Sequence, residues 1–276
     1  MKGTVTWEMK EIYRKTSKVS FIGGIGAAIF GIIYYFYGYE GFAENGETLF
    51  GAGLFALLSI GAGFYFKSAH EKLSHETISA RDSMLNLEDL NELNFQRVPS
   101  LLPKMYNVDS DGNPLFTIEP AKGQLSRWLT VFALFERGFI IPAHYEILDR
   151  SGQQIASFTI KDNVKRYELS LRKPDSTLMS TYSQYLSKSA LKNRGILYQA
   201  DGSVWRELEA KSMAGDIDVK DETGRMTVSY RLGIFPYALK PAFQSTAYHE
   251  HVRFGAHITS DEKLAYTMIF FLWLKG

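Results

Sequence analysis

The final stretch of the chain restricts the fold most. From Leu264 to Leu274 (LAYTMIFFLWL) almost nothing is polar, and apolar side chains occupy every direction around a helix. A helix that is apolar all round is stable only when buried all round. Its ends are marked. Thr259 and Glu262 form a capping-box pair, Asp261 and Glu262 place negative charge at the positive end of the dipole, and Lys275 places positive charge at the other. The run reaches only about 17 Å, against about 30 Å for a bilayer core. The helix is therefore predicted to lie inside protein, and the preceding residues must build the sleeve around it.

The start of the chain reads differently. Residues 1–18 are polar and basic, with Lys2, Lys10, Arg14, Lys15 and Lys18. Val19 to Tyr39 and Thr48 to Phe66 are then two uncharged runs of about 20 residues, each long enough to cross a bilayer as a helix. Glu40, Glu44 and Glu47 sit in the connector, which has no Lys or Arg, while Lys67 and Lys72 follow the second run. The positive-inside rule then predicts two spans in the plasma membrane, with the N-terminus and everything after Lys67 cytoplasmic. Tyr34, Tyr35, Tyr37 and Tyr39 at one end and Phe64 to Phe66 at the other fit interfacial belts. The first run is longer than a signal-peptide core and a second span follows at once, so a membrane hairpin (19–66) is the preferred reading. Its small residues, among them Gly23, Gly24, Gly51, Gly53, Gly61 and Gly63, permit close helix contact.

Residues 67–103 read as a polar connector with patchy helical character, because Met84, Leu87, Leu90 and Leu93 recur every three residues. From 104 the pattern turns to short apolar segments separated by Asp- and Gly-rich turns. Tyr106–Val108 and Leu115–Ile118 flank one turn, Tyr145–Leu148 and Ile155–Ile160 flank DRSG, and Ile217–Val219 and Met226–Leu232 flank DETG. Trp128–Phe135 and Phe139–Ile141 form a further apolar pair. Period-two alternation between such turns predicts antiparallel hairpins. A barrel of about eight strands is filled by its own side chains, and a helix is roughly 10 Å across. Residues 104–276 are thus predicted to form a closed antiparallel β-barrel of about ten to twelve strands around a central C-terminal helix.

Such a β-body resembles the tubby C-terminal fold, shared by phospholipid scramblases and LURP-one-related proteins. The residues carrying the likeness are the opening hairpin Tyr106 to Ile118, the Tyr145 to Ile160 hairpin with its DRSGQQIA turn, and the terminal Lys263 to Lys275. The resemblance implies a membrane-lipid connection, since tubby proteins bind phosphoinositides and scramblases move lipid. Scrambling activity is not carried over, because this chain has no cysteine to acylate and its spans are N-terminal.

Other chemistries fit less well. With 31 Lys+Arg against 30 Asp+Glu there is no basic excess, so no nucleic acid is expected. The absence of cysteine removes thiolate catalysis and Cys-based metal sites. Gly51, Gly53 and Ala56 match G-x-G-x-x-A but lie in a membrane-length run, where helix packing explains them better than a dinucleotide. Asp109, Asp111 and Asn113 open like a calcium loop, yet Pro114 and Pro120 replace its Gly and Glu, which leaves a hairpin turn. His249 and His251 share one strand face with His257 nearby, a zinc-like set that an ordinary rim strand also explains. No catalytic residue, metal site or cofactor is assigned. The favoured cluster is basic: Lys161, Lys165, Arg166, Arg172 and Lys173 around one strand, then Lys188, Lys192 and Arg194. The expected role is non-catalytic binding of anionic phospholipid headgroups at the inner leaflet of the lipid bilayer. A scaffold or sensor with a membrane-protein partner is the alternative, and a hydrolase or metalloenzyme ranks below both.

Overall fold

The computed structural model describes residues 5–37, 42–74, 87–97, 102–110, 113–123, 126–186, 193–211, 216–233 and 249–274. The chain divides into two compact units, Met1–Ile78 and Ser79–Gly276.

The first unit is a pair of helices, α1 (Val5–Tyr37) and α2 (Phe42–Ser74). Within them Lys10–Tyr37 and Gly46–Lys72 are long and apolar enough to span a membrane, with mean hydropathies of 1.9 and 1.8. Both helices overrun the uncharged segments, so Lys10 to Lys18 ride on α1 and Lys67 and Lys72 on α2. The helices pack antiparallel. Ser17 donates to the Gly63 carbonyl at 2.9 Å, and the His70 ring nitrogen meets the Lys10 carbonyl at 3.1 Å. Phe21 packs edge-on to Phe64 with ring centres 5.0 Å apart. Only some of the small residues serve this contact. A Cβ on Gly24 would press Ile60 and one on Gly63 would press Phe21, whereas Gly23, Gly51, Gly53 and Gly61 face open space. Ile22, Phe36, Leu57 and Phe64 point outward, the inverse of a soluble helix pair.

The second unit is a nearly closed antiparallel barrel. Its strands are β1 (Glu92–Arg97), β2 (Met105–Val108), β3 (Pro114–Pro120), β4 (Ala143–Leu148), β5 (Gln154–Asp162) and β6 (Arg166–Arg172). They continue with β7 (Leu178–Tyr185), β8 (Arg194–Gln199), β9 (Val204–Glu209), β10 (Ile217–Lys220), β11 (Met226–Gly233) and β12 (His249–Phe254). The order is β10-β11-β12-β1-β2-β3-β4-β5-β6-β7-β8-β9, so the sheet's two edges, β9 and β10, meet at one seam. The turns form as their sequences dictate. The Asp149, Asp201 and Asp221 carboxylates each accept amides two residues on, at 2.8–2.9 Å. Gly152, Gly202 and Gly224 then take φ of 82°, 85° and 82°, a region costly for residues with a Cβ.

α5 (Ser260–Trp273) runs through the middle, with every residue from Glu262 to Trp273 buried. Phe271 packs against Tyr145 and Phe158 with ring centres 4.9 and 5.4 Å away, and Phe270 stacks on Tyr230 at 4.6 Å. Twelve strands leave the room for a helix that eight would not.

Five points of the sequence reading need correction. β1 lies within the stretch read as a connector, and Leu87–Asp89 is a 3-10 turn instead of part of a helical stripe. β1 escapes a period-two reading because both its faces are buried, Asn94 and Gln96 included. Trp128–Phe135 is no strand but two single helical turns, α3 (Ser126–Leu129) and α4 (Ala133–Glu136). β7, whose LMSTYSQY is half polar, adds a strand that its composition concealed. Finally, Thr259 caps α5 by accepting the Glu262 amide at 3.3 Å, but the Glu262 carboxylate turns to Arg206 and Tyr266.

Candidate functional site

The two ends of α5 define the two rims of the barrel. At the N-terminal end, the Glu262 carboxylate lies 3.2 Å from Arg206 and accepts the Tyr266 hydroxyl at 3.1 Å. Thr227 meets the same hydroxyl at 3.1 Å. Lys263, buried, donates to the carbonyls of Leu87 and Glu88 at 3.1 and 2.7 Å. Burial pushes the Glu262 carboxyl up, with Arg206 opposing, and pushes the Lys263 ammonium down, with Asp89 and Glu88 opposing. These groups hold the helix in register, and each has a partner: Glu262, Arg206, Tyr266 and Thr227 form one network, and Lys263 holds the turn at Leu87 and Glu88.

At the C-terminal end, the Trp273 indole N–H lies 3.0 Å from the Gln184 carbonyl oxygen and 3.2 Å from the Tyr182 hydroxyl, and Arg97 donates to the Leu274 carbonyl. The segment 126–141, between β3 and β4, lies on this rim. Tyr145 donates to the Glu136 carbonyl at 2.9 Å, and Asp162 N–H donates to the Gly138 carbonyl at 3.0 Å. Gly138 has φ +74°, and a Cβ there would overlap the Ile160 carbonyl, so only glycine permits this close approach. The β5–β6 loop sits alongside, tied to the end of β7 by the Leu186 N–H donating to the Lys165 carbonyl at 2.9 Å.

This geometry separates the basic cluster. Lys161, Lys165 and Arg166 stand at the C-terminal rim, and Arg194 opens β8 at the same end. Arg172 and Lys173 lie at the far end of β6, about 20 Å away at about 3.3 Å per residue. Lys188 and Lys192 fall outside the described residues. Several members are engaged. Arg166 pairs with Glu168 and lies 5.9 Å from the Tyr185 ring centre, Arg194 lies 3.5 Å from Glu209, and Lys173 lies 3.8 Å from Asp261. Arg172 donates to the Ser176 carbonyl at 2.9 Å. Lys161 and Lys165 are exposed and form no ion pair among the described residues. The eight therefore do not make one surface. Those at the C-terminal rim share that end of the barrel with Arg127 and Arg137 of the 126–141 segment, which border the apolar runs of the sequence reading and lay outside its basic cluster. Their only sequence signal is their position flanking an apolar run.

Beside this rim a cleft of about 710 Å³ lies on the outer face of β7, β8 and β9, lined by Ser183, Tyr185, Arg194, Ile196, Glu207 and Glu209. Its charges are mixed, and it contains no nucleophile and base in contact. Among the described residues no three His, Cys, Asp or Glu side chains gather as metal ligands. His251 points outward from β12 with its ring nitrogen 3.2 Å from the Asn94 side chain, and His257 lies 3.2 Å from Asp221. The His249 side chain and Asp111 lie outside the described residues. Asp109 accepts from the Asn113 backbone and side-chain N–H groups at 2.8 and 2.9 Å, as a turn does.

No protein-family model and no curated protein matches the chain. Among solved structures, a crystal structure of an Arabidopsis thaliana protein is similar, at 12% identity with a TM-score of 0.39. The match covers 69% of this chain and 96% of that one.

Proposed function

We propose that this is a membrane-anchored protein of the tubby C-terminal type whose barrel binds anionic phospholipid headgroups at the cytoplasmic face of the plasma membrane, without catalysis. The observation that carries the reading is the gathering of cations at one rim of a barrel whose own chain holds two membrane-length helices. Around the 126–141 segment and the β5–β6 loop at that rim, Arg127, Arg137, Lys161, Lys165 and Arg166 outnumber Glu136, Asp162 and Glu168. Near an anionic leaflet each such cation contributes about 1 kcal/mol, and the attraction fades within a Debye length. Anchoring holds the concentration of headgroups around the barrel high, so weak individual contacts suffice. The twelve antiparallel strands around a C-terminal helix support the tubby-type assignment.

The test uses the full chain in nanodiscs of phosphatidylcholine with and without phosphatidylserine, read by hydrogen exchange. Residues 161–166 exchange more slowly in the anionic discs at low salt, and the protection disappears at high salt or in a Lys161→Glu, Lys165→Glu double variant. Equal exchange in neutral and anionic discs at low salt overturns the headgroup reading.

A further inference from the structure

The same rim carries a second feature that charge does not explain. Ile140 and Val164 are 77% and 70% exposed, and Trp128 and Phe132 are 61% and 62% exposed. Val131 and Ile141 add to them. All belong to the 126–141 segment or to the β5–β6 loop, which the Gly138–Asp162 hydrogen bond and a parallel bridge between Phe139 and Asp162 hold side by side. Single exposed apolar residues are ordinary, but a group of this size on one rim marks an interaction surface.

The backbone sharpens the point. Ile140 and Val164 adopt φ of 65° and 64°, a region in which a β-branched residue is an outlier. Local bonds hold them there: Val164 N–H donates to the Asp162 carboxylate at 2.7 Å, and Lys165 N–H and Ile141 N–H donate to the Asn163 and Phe139 carbonyls, both at 2.7 Å. Gly or Asn would relieve this strain at no loss of packing, because both side chains point into solvent. Two costs, backbone strain and apolar exposure, therefore coincide at the tips of two adjacent loops.

We propose that these loops are wedges that insert into the lipid surface, with Ile140 and Val164 leading, Trp128 and Phe132 at the interface, and Arg127, Arg137, Lys161 and Lys165 level with the headgroups. The occupant is lipid and not protein for two reasons. The same chain supplies two helices of membrane length. Apolar tips ringed by Arg and Lys, with a Trp among them, match the layering of a bilayer interface. The inference rests on the reading of the chain as bilayer-anchored, and it deepens it: the barrel docks by burying apolar tips, and the cations orient it.

The chain has no cysteine, so single labels are available without further engineering. Ile140→Cys, Val164→Cys and, on the opposite rim, the exposed Val204→Cys are each labelled with an environment-sensitive fluorophore in the full chain and reconstituted into vesicles carrying nitroxide lipids. Interfacial insertion reaches about 5–10 Å. The probes at 140 and 164 then shift to the blue and are quenched several-fold more by shallow nitroxides than by deep ones, while the probe at 204 stays in water. Probes at 140 and 164 as wet and as weakly quenched as the one at 204 overturn the proposal, as does shielding of both from water without lipid quenching, which means a protein covers them. Lipid quenching that persists in pure phosphatidylcholine and is unchanged by phosphatidylserine sustains insertion while removing the headgroup reading. Wet probes together with an intact anionic-lipid effect do the reverse.

Discussion

Phe270→Ala tests whether the central helix holds the barrel together. Phe270 is fully buried, stacked on Tyr230 at 4.6 Å, with Trp273 and Tyr266 rings at 5.5 and 6.1 Å. Removing a buried Phe side chain costs about 3–5 kcal/mol, least where the surroundings collapse into the space. Here they do not: Tyr230 belongs to a strand laddered on both sides, to β10 and β12, and the helix is enclosed all round. The loss falls at the upper end, about 5 kcal/mol, with the lost ring pairs contributing about 0.5–1.5 kcal/mol each within that total. A domain of this size loses about 2–4 °C per kcal/mol, so the melting temperature falls by about 10–20 °C. Thermal unfolding of the detergent-solubilised full chain, followed by near-ultraviolet circular dichroism, reads this directly. Phe132→Ala, which removes an equal ring from the exposed rim, changes stability by about 0.5 kcal/mol or less. If Phe270→Ala melts within about 4 °C of wild type, the helix is not the core that the geometry makes it.

Two further outcomes follow from the seam and the rim. Asp218 on β10 lies 2.6 Å from Arg231 and 2.5 Å from Lys211. Burial opposes its ionisation, yet these hydrogen bonds hold the carboxyl well below the usual range. A depressed folded value stabilises above the unfolded pKa of about 3.9, so Asp218→Asn loses about 1–2 kcal/mol at neutral pH, and the gap to wild type closes as the medium is acidified below about pH 4. A gap that is constant from pH 7 to pH 3 contradicts the assignment. Gly138→Ala forces a Cβ toward the Ile160 carbonyl at positive φ and costs about 1–3 kcal/mol from the backbone alone. Faster hydrogen exchange across 126–141 with a lowered melting temperature is expected, and unchanged exchange there means that the segment is not pinned at Gly138.

The all-round apolar pattern from Leu264 to Leu274 by itself determined that the helix had to be enclosed, because no other placement removes every face from water. The Asp–Gly turns and the alternation around them determined the hairpins and the approximate strand number, since both depend on neighbours in sequence. The two uncharged runs determined the helical pair. What only the tertiary structure decided involves residues whose partners are distant in sequence. Lys263 is a charge in the first turn of α5, and it is buried because the Leu87 and Glu88 carbonyls come to meet it. Glu262 reads as a cap, but Arg206 on β9 claims its carboxylate. Arg166 and Arg172 lie on one strand, close in sequence, and stand at opposite rims because a strand is extended. Ile140 and Val164 are apolar enough for a core, and only the tight turns that the Phe139–Ile141 and Asn163–Lys165 backbone bonds close hold them out in solvent. An apolar run states that water is unfavourable to it. Whether protein or lipid covers it is decided by where the barrel carries it.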